Sequence, residues 1–294
     1  MPDPFFGFPE LVIRRLTARA RVLPDVFVLG VQKGGTSSLF AYLKMHPSYV
    51  APYGKEHHFL QDQAEVPAFF LSGARGKKWY ALPTRWYLSA RRPRAESYRT
   101  LFPARRTMER VERRTGSRAI TGEHTPTYLY CESVAKRIVA MSLRPKLVIL
   151  LRDPVKRAFS DWQDLRNTEP EWERRSSFEQ AVRDELDGKV TDFYLRYLYQ
   201  GIYAPHLRVW FKYFDRDAFF ITPSEALFKE APATMNRIFS FLGMAPFTLD
   251  KLPVVNAGEY RQTLGPDLES ELRTYFRPHN QDLYDLLSVD FGWK

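Results

Sequence analysis

With 294 residues, 44% of them hydrophobic, the chain can bury one large α/β core or two small ones. Its longest apolar runs are only strand length, and the N-terminal MPDPFFGFPELVIRRLTARARVL lacks a signal peptide's continuous apolar core and cleavage site, so a soluble, cytoplasmic protein is expected. A lone cysteine, Cys131, excludes an intramolecular disulfide and a cysteine-cluster metal site. The formal net charge of +10 asks for an anionic partner, but no zinc-finger, basic-zipper or RNA-recognition signature makes that partner nucleic acid.

Residues 1–25 form a basic leader in which Leu11, Val12, Arg14, Arg15, Leu16 and Arg19 suit a short amphipathic helix. Such a helix either packs on the domain or makes peripheral contact with a membrane surface. Residues 26–294 are read as a single domain. Val26 to Val31 is a continuous apolar run typical of a strand covered on both faces, and Leu39, Leu43 and Met45 give Thr36 to His46 helical spacing that Pro47 stops. An arginine-rich insertion over about 75–118 follows, and Arg85 to Arg118 holds eleven arginines against three glutamates. Pro83, Pro93 and Pro103 break it into short pieces, and it is expected beside the site.

AITGEHTPTYLY offers a short strand and a turn, and Glu132 to Met141 a helix. Lys146 to Leu151 is a second buried strand. Asp153 then caps a helix that has Pro154 at its first position. SSFEQAVRDEL and YLRYLYQGIYAPHLRVWFKYF read as helices, AFFIT as a strand, APATMNRIFSFLG as a helix closed by Gly243, and Pro266 to Leu287 as a last helix. This alternation predicts an α/β fold with a central parallel β-sheet flanked by helices on both faces.

Two stretches carry chemistry. In VFVLGVQKGGTSSLF, Gly34 and Gly35 let successive backbone N–H groups turn inward at a helix N-terminus, which makes an anion cradle. Thr36, Ser37 and Ser38 add hydroxyl donors there, although a hydroxyl-rich helix start also serves as a plain cap. Lys33 stands before the glycines, whereas the nucleotide-triphosphatase pattern GxxxxGK[ST] has its lysine directly before the hydroxyl residue. In LVILLRDPVKRAFSDW, Arg152 ends a buried strand, at the edge where open α/β sheets bind ligands, and Ser160 follows two helical turns on. Arg152 is also placed to pair with Asp153. Together the two elements imply a ligand with two separated anionic centres.

GVQKGGTSSL resembles the 5′-phosphosulfate loop, and LRDPVKRAFSDW the 3′-phosphate motif, of sulfotransferases that use 3′-phosphoadenosine 5′-phosphosulfate (PAPS). The KGGT form is similar to the heparan-sulfate and carbohydrate branch rather than to the small-molecule branch with YPKSGT. The resemblance runs patchily from Val26 to the final FGWK and implies a P-loop-like sheet. By it, Lys33 contacts the phosphosulfate near its bridging oxygen, Gly34, Gly35, Thr36, Ser37 and Ser38 hold the 5′-phosphate, and Arg152 and Ser160 bind the 3′-phosphate. In GKEHHFL, Glu56 matches the general base of an E-x-H-F pattern and His58 the histidine beside it. On the residues alone, Glu56 equally suits an ion pair with Lys55, and His57 or His58 a core histidine.

The chain also departs from the pattern. In GEHTPTY, His124 stands where the family has a lysine that contacts acceptor or catalytic groups. In NAGEYRQTLGPDL, Gly258 and Arg261 match a loop that closes over the nucleotide, but Ala257 replaces its lysine. The disulfide usual in luminal members cannot form.

The expected function is therefore transfer of a sulfuryl group from PAPS, without a metal, to a hydroxyl on a carbohydrate or glycolipid. The alternatives are a nucleotide-dependent kinase or NTPase on a related scaffold, and a non-catalytic protein that binds anions or a membrane surface. The first of these predicts a GK[ST] lysine and a magnesium-binding acidic strand end, and neither stands out in the sequence.

Overall fold

The computed structural model describes residues 7–62, 95–168, 177–249 and 262–293. Four strands, β1 (Val26–Gly30), β2 (Gly122–His124), β3 (Lys146–Leu151) and β4 (Phe219–Pro223), form one parallel sheet in the order β2-β1-β3-β4. Val26 is level with both Gly122 and Lys146, and Leu147 with Phe219, so all four strands point their carboxyl ends the same way.

Strand periodicity explains why β1 and β3 read as unbroken apolar runs. Phe27, Leu29, Leu147, Ile149 and Leu151 enter one core, while Val26, Val28, Val148 and Leu150 enter the other. The first core is covered by α5 (Glu132–Ala140) and α8 (Tyr203–Phe211), through Val134, Ile138, Leu207 and Trp210. The second is covered by α2 (Thr36–Leu43) and α10 (Ala231–Phe241), through Leu39, Leu43, Met235, Ile238 and Phe239. Helices therefore lie on both faces, as expected.

A third, smaller core mounts α6 (Pro154–Thr168) against α7 (Phe178–Leu186) and α11 (Pro266–Leu287), through Val155, Trp162, Phe178, Val182, Leu272 and Phe276. Asp153 caps α6 as its position suggests: Oδ1 accepts from the N–H groups of Val155 at 2.9 Å and Lys156 at 3.3 Å. Ser177 Oγ does the same for α7, accepting from Gln180 N at 3.1 Å.

Two expected helices are shorter than their patterns. α2 ends at Leu43, because the next turn tightens to hydrogen bonds from Met45 N to Tyr42 O and from His46 N to Leu43 O. The aromatic stretch expected as one helix is two 3₁₀ turns, Phe193–Leu195 and Tyr199–Gly201, before α8. The Glu185 carboxylate accepts from Leu198 N and Tyr199 N at 2.8 Å each, and Pro205 in the first turn of α8 forbids helix extension across Gly201.

The basic leader includes α1 (Gly7–Leu16), and the described part of the arginine-rich insertion holds α3 (Ala95–Arg99) and α4 (Arg105–Thr115). Arg14 and Arg21 fasten leader to insertion by donating to the carbonyl oxygens of Thr100 and Phe102. A short α9 (Ser224–Lys229) follows β4. Among the described residues no helix is long and apolar enough to cross a membrane.

Candidate active site

The loop after β1 is shaped by two close approaches. A Cβ on Gly34 would sit 2.7 Å from Leu150 O and 2.9 Å from Val31 O, both backbone atoms, so the turn tolerates no side chain there. Gly35 has φ +86° and opens α2 at the point where first-turn N–H groups have no acceptor within the helix. The backbone is therefore built as an anion cradle, with the hydroxyl residues Thr36, Ser37 and Ser38 at its rim. This donor set fits a phosphate.

Lys33 and Arg152 meet at this loop. Arg152 leaves the carboxyl end of β3 and donates from Nη1 to Lys33 O at 2.8 Å, while Tyr203 OH holds the Arg152 carbonyl at 2.7 Å. Lys33 Nζ lies 2.9 Å from Asp164 Oδ1 on α6. Ser160, buried, stands one turn before Asp164 and shares its helix face, so the α6 face carrying both turns toward the loop. Asp153 contacts Arg273 of α11 at 3.4 Å.

Glu56 arrives on a different segment. Its N–H donates to His124 O at the end of β2, at 2.7 Å. Its carboxylate oxygen Oε1 accepts from Lys55 Nζ at 2.8 Å, and the same ammonium donates to Ser37 Oγ at 2.7 Å. The ion pair named as an alternative thus exists, partly buried and tied to the loop helix. Lys33, Glu56 and His58 all have positive φ, at 63°, 59° and 52°, a strained setting for residues with a Cβ and one that clusters at functional sites.

The histidines near Glu56 are buried. His58 Nδ1 is 2.6 Å from Gln61 Oε1, which Thr127 also reaches. His124 Nε2 shares a 2.6 Å hydrogen bond with Tyr49 OH, and Phe40 packs edge-on against its ring. Burial, helped by the charge on Lys55, pulls the His124 imidazole down to about 3, and burial pulls His57 down to about 4, so both are neutral near pH 7.

Beside His124, Glu123 is fully buried and accepts from Thr125 Oγ1 at 2.6 Å and from Tyr98 OH of α3 at 3.1 Å. Burial pushes it up to about 7. Through Tyr98 the insertion thus reaches the strand end that seats Glu56.

Asp164 and Glu123 were not among the residues singled out from sequence, and Lys55 was named only as an ion-pair partner of Glu56. Lys55 was visible as a neighbour of Glu56, whereas nothing in the chain's pattern linked Asp164 to Lys33. Gly258 and Arg261 lie outside the described residues, as do residues 75–94 of the insertion. Among the described residues no group of three or more His, Cys, Asp or Glu could hold a metal ion.

The family model for the sulfotransferase domain matches residues 23–253. Curated relatives include heparan sulfate glucosamine 3-O-sulfotransferase 3B1 of Mus musculus, 27% identical over 94% of this chain and 66% of its own length. Another is heparan sulfate glucosamine 3-O-sulfotransferase 3A1 of Homo sapiens, 28% identical over 97% of this chain and 66% of its own length. The chain spans just under two thirds of the length of these two relatives. A crystal structure of a sulfotransferase from Alicyclobacillus acidocaldarius matches with a TM-score of 0.66 at 25% identity, over 92% of this chain and 99% of that one. With its glycine-turned loop, its arginine at the end of β3 and a domain match covering most of its length, the chain belongs to the sulfotransferase family, near the heparan-sulfate branch.

Proposed function

We propose that this sulfotransferase moves a sulfuryl group from PAPS to a hydroxyl of a carbohydrate or glycolipid acceptor. The observation that carries the reading is the chain Ser37–Lys55–Glu56, which sets a carboxylate two hydrogen bonds from the hydroxyl rim of a phosphate cradle. PAPS would supply an activated sulfur with a phosphate leaving group. Glu56 takes the acceptor's proton as the acceptor oxygen bonds to sulfur and the bond from sulfur to the bridging oxygen opens. The electron pair of that bond leaves on the 5′-phosphate, whose growing charge is met by the loop N–H groups and by Lys33. Arg152 and Ser160 are the residues to hold the 3′-phosphate.

A carbohydrate acceptor is supported by the relatives, whose names place their own reaction on heparan sulfate glucosamine. Thermal shift with 3′-phosphoadenosine 5′-phosphate (PAP) against ATP with magnesium tests the donor: selective stabilisation by PAP is expected, and selective stabilisation by ATP with magnesium would overturn the reading. Radiolabelled PAPS offered with heparan sulfate, alkyl glucosides and a glycolipid then identifies the acceptor.

Peripheral membrane contact is favoured by one observation. α1 exposes Val12, Ile13 and Leu16, the last at 81%, beside exposed Arg15 and Arg19, a pairing that suits an anionic bilayer. Co-sedimentation with phosphatidylserine vesicles, lost on Ile13→Asp with Leu16→Asp, is the expected result; equal recovery with and without vesicles would exclude it.

A further inference from the structure

Lys55 has no role in the reaction as written above, yet it bridges the donor loop and Glu56. Its ammonium donates to Ser37 Oγ in the first turn of α2, at 2.7 Å, and to Glu56 Oε1, at 2.8 Å. The Lys55 and Glu56 side chains are 22% and 30% exposed, so the contact is only partly screened by water. His57 and His124, the nearby imidazoles, are buried and uncharged near pH 7. Lys33 is engaged by Asp164 on α6. An ammonium at the position of Lys55 can therefore do what neither uncharged imidazole can: grip a carboxylate by a charge-assisted hydrogen bond and aim it at the donor loop.

We propose that Lys55 is a positioning residue for transfer, fixing the direction of the Glu56 carboxylate against the hydroxyl rim of the donor loop. The inference rests on the sulfotransferase reading and on Glu56 as base. Glu56 has a left-handed backbone, with φ +59°, anchored by its N–H on His124 O. Its carboxylate direction is set by what grips the other end, and Lys55 supplies a grip that also senses the loop.

Water serves as the acceptor in the test, so that the natural acceptor need not be known: release of labelled sulfate from radiolabelled PAPS is followed beside PAP binding. Lys55→Met should slow release by about tenfold or more while the Kd for PAP moves by less than about twofold. Lys55→Arg should recover most of the rate. Because Lys55 acts through Glu56, Lys55→Met combined with Glu56→Gln should be no slower than Glu56→Gln alone. Full activity in Lys55→Met, or losses that multiply in the double variant, would overturn the proposal while leaving the sulfotransferase reading standing. If PAP fails to bind the wild type, the sulfotransferase reading fails; if wild-type sulfate release equals that of Glu56→Gln, Glu56 is not the base; either result takes this inference with it.

Discussion

Lys33 Nζ and Asp164 Oδ1 stand 2.9 Å apart, so the lysine of the phosphate loop is held from α6, the helix that also carries Ser160. The carboxylate competes with any anion for Lys33. The pair is partly exposed, at 21% and 41%, and is worth at most about 1 kcal/mol. Asp164→Asn should therefore tighten PAP binding by about two- to fivefold, with the gain shrinking at high salt. Titration calorimetry at two ionic strengths checks both statements; weaker binding in the variant would show that Asp164 orients Lys33 rather than competing for it.

Gly34 has no room for a methyl group, since its nearest neighbours are backbone carbonyl oxygens of Val31 and Leu150 that cannot swing away. Gly34→Ala must push β3 and the loop apart. A destabilisation of about 2 kcal/mol, with loss of PAP binding, is the expected outcome. Denaturant unfolding and PAP titration measure the two effects separately, and a variant that binds PAP normally would show that the cradle is less tightly set than the contacts imply.

The two buried strands, the glycine loop and the capped start of α6 were legible because each is local. Continuous apolar runs, a glycine pair and an Asp-Pro step carry their meaning within a few residues. The aromatic stretch before α8 was misjudged because the grip of Glu185 on Leu198 and Tyr199, reaching back from α7, overrides helical spacing. The site was half legible for the same reason. Glu56 and Lys33 stand in recognisable motifs, but the partners that aim them, Lys55 through Ser37 and Asp164 across α6, depend on how separate segments meet.

Glu123 should give the fold a pH signature. Burial raises its carboxyl from 4.5 to about 7, so the stability it contributes is fully present below pH 4.5 and is lost as pH rises through about 7. Glu123→Gln removes that loss. The variant should gain on the wild type between pH 4.5 and 7 by an amount on the order of 3 kcal/mol. His57 and His124, lowered to about 4 and about 3, act in the opposite sense, costing stability as pH falls below 6.5, but they are present in both proteins and cancel in the difference. Melting curves from pH 5 to 8 test this, and a constant offset between the two proteins would mean that Glu123 does not titrate in that range.

Glu56→Gln asks whether a histidine can stand in as base. Neither candidate is well prepared. His124 is buried, shares its Nε2 with Tyr49, and at about 3 is far too weak a base to accept a hydroxyl proton near pH 7. His58 is equally buried and is held through Nδ1 by Gln61. Loss of the carboxylate should therefore cost about 10²- to 10⁴-fold in sulfuryl transfer, with PAP binding little changed, because Glu56 is tied to the cradle through Lys55 and is not part of the glycine loop. Single-turnover transfer from radiolabelled PAPS, measured beside PAP titration, separates the two. Transfer that persists within about tenfold of wild type would move the base role to His58, since His58→Asn in the same background should then remove what is left.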